Sequence, residues 1–270
     1  MKEIFIAILQ SWYGLSLWVA GLFIVFTVLG KLTPCNPGQP LLRKGMGTDL
    51  LYCFILPILN RFVRIILVSA GLYLIFSKPS QDELSHYFIN GFGALATLPL
   101  WLQAAIIFLI SDFLLYWIHR LFHGKTLWNF HAIHHSPDTL DWLATFRFHP
   151  INAWLAFTLV DTIMLLAGFS PAAVALFANF NLVYSAMVHA NLNWTFGPLR
   201  YLFASPVFHR WHHTAENEGM NKNFAPTFPL LDVIFGTYYM PEGRLPQAYG
   251  IQGSTIPESF AGQIIWPFKN

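Results

Sequence analysis

The sequence predicts an all-α integral membrane protein, a helical bundle with a histidine-rich cap at one membrane face. Its 270 residues are 55% hydrophobic and only 10% charged, with a mean hydropathy of +0.49, whereas a soluble domain carries about 25% charged residues. Apolar runs recur at lengths that span a bilayer. Histidines cluster directly after one of these runs and again near residue 210. A net charge of +2 is too small to indicate a nucleic-acid partner.

The first predicted span runs from about Ile4 to Leu29 and contains no charged residue. A cleavable signal peptide is the alternative, but its apolar region would be shorter and would lead to a small-residue cleavage site. The loop from Lys31 to Asp49 is interpreted as a plain connector. The two cysteines form no disulfide framework and no C-x-x-C metal motif.

The second apolar run covers about Leu50 to Phe76 and is interrupted by Arg61 and Arg64. We therefore expect Leu50–Leu59 to lie along the membrane interface and the crossing to run from Phe62 to Phe76. The following segment, residues 78–97, is predicted to be a loop.

The third predicted span, Leu98–Ile118, leads directly into His119. Two further apolar arms, Ile151–Gly168 and Pro171–Val188, are separated by a tight turn and therefore begin and end on the same side of the membrane. This hairpin returns the chain to the histidine side at His189. Residues 193–208 are too broken by proline to span and are predicted to lie at the interface. The more polar residues 214–270 are expected to form a soluble cap.

The histidines repeat two spacings. H-x-x-H-H occurs at residues 131–135 and 209–213, and H-x-x-x-H at residues 119–123. With 11 histidines in the chain, H-x-x-H-H is expected about 0.02 times by chance. Residues three and four apart share a helix face, so we expect one pair and two triplets of converging imidazoles. One ion takes about four to six ligands, so eight clustered histidines predict two metal ions. An isolated histidine such as His86 is more often a core residue.

Polar residues near the clusters are candidates for orienting the imidazoles or binding the metal themselves. Asp112 and Tyr116 continue the helical stripe of His119 and His123, so Asp112 is predicted to accept the far N–H of a ligating imidazole. Helix packing is the equal alternative for Asp112. Asp141 is interpreted as a solvated or capping residue. The other candidates for support or ligation are His149, Asn193, Asn223 and Asp232.

The distribution of cations predicts the orientation. Ten basic residues fall on the histidine side of this topology, and the opposite loop holds Lys78 with two acidic residues. The positive-inside rule then places the histidines in the cytoplasm and the N-terminus outside. The ten are Lys31, Arg43, Lys44, Arg61, Arg64, Arg120, Lys125, Arg147, Arg200 and Arg210.

The order of the motifs resembles the fatty acid hydroxylase superfamily, also called the sterol desaturase family. The resemblance covers about residues 107–249. It rests on the segments 112–123, 131–135, 147–150, 189–191, 208–213, 223–224 and 232–237. It implies a domain division into N-terminal transmembrane helices (1–97), a catalytic domain (98–250, with a transmembrane hairpin at about 151–188) and a C-terminal tail (251–270).

The resemblance implies a membrane-bound di-iron enzyme that uses O₂ to hydroxylate or desaturate a lipid, such as a sterol or a fatty acid. The implied iron ligands are His119, His123, His131, His134, His135, His189, His209, His212 and His213. Some relatives have a further histidine at the position of Asn193. Imidazole also suits zinc, which a purified protein can carry in place of iron.

The electrons for this chemistry must come from a separate protein, a reductase with a cytochrome or ferredoxin. The sequence contains no G-x-G-x-x-G dinucleotide fingerprint, no haem-attachment motif and no iron–sulfur cysteine run. The basic residues on the histidine side are expected to steer such a partner or to bind anionic lipid.

Three other functions compete with this interpretation. A zinc-dependent membrane hydrolase would need a catalytic carboxylate, as in H-E-x-x-H, which is absent here. A metal transporter would place histidines and carboxylates within the spans, whereas these histidines lie at span ends. The third is a non-catalytic lipid-binding relative, against which the intact histidine set is only a weak argument.

Overall fold

The computed structural model describes residues 2–253 and 256–269, with side chains from residue 12 onward. The described residues form twelve α-helices and no β-strand, with one isolated bridge between Thr214 and Tyr249. The predicted all-α class is therefore confirmed. The helices are α1 (Lys2–Leu32), α2 (Met46–Ile75), α3 (Gln81–Asn90), α4 (Gly93–Ala96), α5 (Leu100–Phe122), α6 (Trp128–His135), α7 (Pro150–Ala153), α8 (Leu159–Leu166), α9 (Pro171–His189), α10 (Pro206–His212), α11 (Leu230–Ile234) and α12 (Phe260–Ile265).

Four helices are long and apolar enough to cross a membrane: α1 from Trp12 onward, α2, α5 and α9. A shorter apolar helix, Pro150–Leu166, joins α7 and α8 through one turn of π-helix. It forms a hairpin with α9. The chain is therefore a multi-pass membrane protein whose apolar faces pack around α9, which contacts α5, α10 and the 3₁₀ turn Trp142–Phe146.

The second span differs from the sequence prediction. It is one continuous helix that contains Pro57, so the expected break into an interfacial and a crossing segment is wrong. Membrane helices tolerate proline because neighbouring groups satisfy the freed backbone. Arg64 does not interrupt the span either, because it pairs with Asp161 of the hairpin at 2.5 Å. Arg61 and Arg64 therefore lie in the middle of α2, and the prediction that both fall on the histidine side is wrong.

The segment 78–97 is not a loop throughout, because it contains α3. Ser80 caps this helix in a reciprocal arrangement with Glu83. The rings of Phe76, Tyr87 and Phe92 pack together and hold α3 against the end of α2. His86 lies exposed on α3 rather than in a core.

The hairpin turn depends on Gly168, whose φ is +104°. Its carbonyl accepts from the amide of Phe92 at 3.0 Å, and a Cβ here would lie 2.3 Å from the Phe92 oxygen. Only glycine allows both the conformation and the close approach. The turn sends α9 back to its last residue, His189, as predicted.

The loop before α2 is not a plain connector, because its Arg43 takes part in a buried cluster of ion pairs. Arg43 contacts Asp49 and Asp141, the latter at 2.7 Å, and Arg147 also bonds to Asp49. All four are buried, with Asp49 at 0% exposure. Asp141 also caps the turn Trp142–Phe146, which confirms its predicted capping role. This cluster of ion pairs fixes the start of α2 and the loop before it to the segment between α6 and α7.

Candidate metal centre

Four helices deliver the histidines to one end of the bundle. The last turn of α5 and its C-cap carry the first pair, α6 carries the second cluster, α9 ends on one histidine, and α10 with its C-cap carries the last cluster. Within the described residues, the nitrogens of nine histidines form two groups, and the atoms of each group lie within 4.8 Å of one another. The five-histidine group contains His119, His123, His131, His135 and His212, and the four-histidine group contains His134, His189, His209 and His213.

Each H-x-x-H-H motif supplies both groups, which differs from the expected triplets. His131 and His135, one helical turn apart, lie in the five-histidine group, whereas His134 lies in the other. In α10 and its C-cap, His209 and His213 belong to the four-histidine group, whereas His212 belongs to the five-histidine group. Adjacent residues on an α-helix point about 100° apart, so one motif cannot aim three rings at one point.

The nitrogens that face each other within the groups are all Nε2. The Nε2 atoms of His119 and His135 lie 3.0 and 3.2 Å from Nε2 of His131. In the four-histidine group, Nε2 of His189 lies 3.3 Å from His134 and 3.1 Å from His209. With a metal–nitrogen bond of about 2.1 Å, adjacent ligands around an ion are about 3.0–3.4 Å apart. The observed separations match that spacing.

In six of the nine histidines, the opposite nitrogen, Nδ1, donates a hydrogen bond to an oxygen atom, whereas Nδ1 of His209 is buried without a partner among the described residues. Four histidines use backbone carbonyls at 2.7–3.2 Å, and two use asparagine side-chain oxygens at 2.8 and 3.1 Å. Because Nδ1 holds the proton, Nε2 presents a lone pair. The pairs are His119–Phe224, His134–Arg147, His189–Ser185, His212–Lys222, His131–Asn152 and His123–Asn221.

Facing lone pairs at these distances repel unless a cation lies between them. Nε2 of His123 and of His212 are also buried without a hydrogen-bond partner among the described residues, and buried polar atoms are costly when unpaired. Five and four neutral imidazoles correspond to the ligand numbers that transition ions accept. The residues present therefore fit two metal ions.

Burial keeps these imidazoles neutral. It lowers the pKa of His123 to about 3, and burial followed by repulsion from neighbouring histidines lowers the pKa of His131, His134 and His212 well below the usual 6.5. Neutral imidazole is the form that binds metal.

The metal-free protein is expected to lose stability on acidification. A histidine with a lowered pKa in the folded state binds protons more readily when unfolded, so unfolding is favoured as pH falls below about 6.5. Thermal unfolding of chelator-treated protein in detergent should show a lower midpoint at pH 5 than at pH 7.5. A midpoint that does not fall would contradict the buried, neutral state of the cluster.

The two predicted supports on α5 do not contact the imidazoles as expected. Asp112 accepts from the amide of Phe228 at 3.2 Å, and Nδ1 of His119 bonds instead to the Phe224 carbonyl. Tyr116 bonds to Thr237 at 3.0 Å. Both residues therefore hold the segment after residue 222 against α5, and the prediction that Asp112 bonds to a ligating imidazole is wrong.

Asn223 and Asp232 are buried and hold the same segment from the other side, so a solvated-surface role is excluded for both. Asn223 donates to the Phe208 and Tyr239 carbonyls at 2.8 and 2.6 Å. Asp232 accepts from the amides of Phe224 and the next residue, each at 2.8 Å. They therefore fix the backbone whose carbonyls, at residues 222 and 224, orient two imidazoles.

The other two candidates lie outside the groups. His149 uses both nitrogens, one donating to the Ile264 carbonyl at 3.1 Å and one accepting from the Ile151 amide. Asn193 is exposed because α9 ends at His189, so the helical turn that would have aligned the two does not exist. Neither side chain is placed to bind the metal.

Asn152 and Asn221, which orient two imidazoles, were not identified from the sequence. Neither lies in a histidine motif. Asn152 comes two residues after a helix-starting proline, and Asn221 has a φ of +56° in a turn. Their proximity to the histidines arises only from folding, so no local signal distinguishes them from other asparagines.

Two cavities adjoin the centre and share no lining residue. A small one of about 70 Å³ touches both groups, through His119, His131, His134, His189 and His209, and is otherwise largely apolar. A larger one of about 450 Å³ is lined by polar loop residues and by three histidines of the five-histidine group, with Lys125 and Trp128 at its wall. The centre thus has an apolar side toward the spans and a polar side toward the loops.

A family model described as fatty acid hydroxylase matches residues 104–237. These residues include all nine histidines and the whole hairpin.

Several curated proteins are similar to the chain. An ornithine lipid hydroxylase of Rhizobium tropici is 32% identical over 72% of this chain and 56% of its own length. Human alkylglycerol monooxygenase is 30% identical over 48% of this chain and 29% of its own length. A very-long-chain aldehyde decarbonylase of Oryza sativa subsp. indica is 30% identical over 52% of this chain and 25% of its own length. The matches thus span about half, or less, of each relative. No solved structure matches the chain.

Proposed function

The chain belongs to the fatty acid hydroxylase superfamily, and from this premise we propose that it is a membrane-bound, O₂-dependent di-iron oxidoreductase that hydroxylates or desaturates a C–H position of a lipid. The observation that carries the proposal is the set of Nε2 lone pairs that face one another at 3.0–3.3 Å. Among the described residues, no carboxylate joins either histidine group, whereas a zinc hydrolase of the H-E-x-x-H type uses a glutamate beside its metal.

The nine histidines are the proposed ligands, five for one ion and four for the other. When bound, the ions supply the activation of O₂ that an unactivated C–H bond requires. The choice of iron rests on the relatives, two of which are a hydroxylase and a monooxygenase by name.

The residues of this chain do the remaining work of positioning and enclosure. For six of the nine histidines, backbone carbonyls and two asparagines keep the proton on Nδ1 and the Nε2 lone pair aimed inward. Phe148 stacks on His134 with ring centroids 4.0 Å apart, and with Phe122 and Phe157 it makes an apolar wall on the span side of the centre. This wall excludes water and contacts a hydrocarbon chain.

Electrons are proposed to arrive from a separate reductase with a cytochrome or ferredoxin, through the polar cavity beside Trp128. The histidine face is proposed to be cytoplasmic. The expectation that the basic residues of this face steer the partner is wrong for Arg43, Arg147 and Arg210, which are buried and bonded within the protein. Lys125 is exposed at the polar cavity and is the cation best placed for docking.

The proposal is tested on protein purified in detergent without oxygen. We expect two iron ions per chain by elemental analysis. Cells that express the gene under ¹⁸O₂ should accumulate a lipid that carries one ¹⁸O, or one new double bond, and this lipid should be absent without the gene. Turnover without O₂, or a zinc-loaded protein as active as the iron-loaded one, would favour a hydrolase instead.

A further inference from the structure

A second apolar cavity, of about 320 Å³, lies among α1, α2, the hairpin and α9. It shares Leu115, Phe148, Phe157, Asn181 and Ser185 with the small cavity that touches both histidine groups. A path lined by these residues therefore continues from the centre into the bundle. Its volume lies in the range of ligand pockets.

The cavity is elongated along α2. Tyr52, Leu56, Asn60 and Arg64 line it at helical spacing, and the twelve residues between the first and the last rise by about 18 Å. One end meets Phe148, which stacks on a histidine of the centre. The other end holds the charged side chains of α2 and the hairpin. The shape suits a single extended hydrocarbon chain.

Three residues that line the cavity each carry a buried polar atom without a hydrogen-bond partner among the described residues. These atoms are the Tyr52 hydroxyl, the Asn60 Oδ1 and the Thr158 hydroxyl. Each such atom costs free energy unless a ligand satisfies it. Three of them along one cavity indicate a ligand with polar groups of its own.

The charged end of the cavity has two arginines and one aspartate, so one positive charge is not neutralised. Arg64 pairs with Asp161, whereas Arg61 also lines the cavity and has no acidic partner among the described residues. Arg61 is also exposed at the surface of the bundle, and an arginine within a membrane-spanning helix is costly and marks a functional site by default. A ligand with one negative charge would neutralise this end.

We propose that this cavity binds a lipid with an anionic polar group, held by Arg61 beside Asn60, while its hydrocarbon chain extends toward the two histidine groups. This rests on the proposed function and adds a substrate class, an acyl lipid that carries a carboxylate or a phosphate. Because the anion is held away from the histidines, the C–H bond presented to them lies far along the chain from the polar group.

The test measures lipid binding to the metal-free protein in detergent, by displacement of a fluorescent fatty acid. The competitors are oleate, oleoyl lysophosphatidate and oleyl alcohol, which share a chain and differ in the polar group. Arg61→Gln is expected to weaken binding of the preferred anion by about tenfold, the order of a charged hydrogen bond, and to leave oleyl alcohol unchanged. Whether oleate or lysophosphatidate binds more tightly to the natural protein identifies the anion.

Two further variants complete the test. Asp161→Asn removes the partner of Arg64 and should strengthen anion binding, the opposite sign to Arg61→Gln. Arg200→Gln, at an exposed ion pair with Glu242, is the matched control and should bind like the natural protein. Equal losses for anion and alcohol in Arg61→Gln, or no binding of any competitor, would overturn the proposal. His134→Ala should still bind the anion, so failure of the metal centre is distinguishable from failure of this cavity.

Discussion

Replacing His134 or His212 with alanine is expected to abolish metal loading and lipid oxidation together. Each variant removes one Nε2 from a different group, so each leaves one ion short of a ligand and the other in a disturbed pocket. Replacement of residues that merely orient metal ligands costs about 10–100-fold in affinity or activity, and removal of a ligand should cost more. The measurements are iron per chain and the amount of oxidised lipid.

The control for both variants is His86→Ala. His86 is exposed on α3, where it hydrogen-bonds to Asn90 and its ring contacts Tyr87 of the same helix, so iron content and product should be unchanged. Full oxidation in either ligand variant would show that the grouped histidines are not the metal site. A large loss in His86→Ala would show that the division between clustered and isolated histidines is wrong.

Replacing Asp49 with alanine is expected to destabilise the protein by about 3–5 kcal/mol, the cost of leaving buried charge without its partner. Asp49 contacts both Arg43 and Arg147, and all three residues are buried. The effect should extend to the metal centre because the Arg147 carbonyl orients His134. Denaturant unfolding in detergent, followed by iron content of the folded fraction, measures both consequences.

Glu258→Ala is the matched control for the loss of a carboxylate. Glu258 pairs with Lys44 near the same loop, but both side chains are more than half exposed, and exposed pairs contribute little to stability. Its unfolding transition should coincide with that of the natural protein. If Asp49→Ala unfolded at the same denaturant concentration as this control, the buried cluster of ion pairs would not hold the start of α2 in place.

The sequence was sufficient to predict most of the spans and the presence of clustered histidines, because both follow from local patterns, but it did not predict how each H-x-x-H-H motif divides between the two groups. Apolar length gives a span, and a spacing of four places two imidazoles on one helical face, whereas the histidines three residues apart lie in different groups. The same reasoning erred at Pro57 and at Arg64, where local helix-breaking and charge indicated an end to the span. A partner distant in sequence, Asp161, is what allows α2 to continue.

Contacts through the backbone were beyond sequence reasoning. The carbonyls of Lys222 and Phe224 orient His212 and His119. Every residue has a backbone carbonyl, so the residue types gave no indication of these two contacts. Asp112 was placed on the correct helical stripe, yet its carboxylate bonds to the backbone at residue 228. The error arose because the stripe predicts which residues share a face and does not predict which loop packs against that face.

The division of each H-x-x-H-H motif between the two histidine groups has a geometric consequence. Two short helices, α6 and α10, each carry rings of both groups, so the offset between the groups is the fixed rotation and rise of a helical turn. The distance between the two histidine groups is therefore set by the rigid geometry of these helices. Loops between the helices can vary in length without changing that distance, whereas inserting one residue inside either motif would exchange rings between the groups.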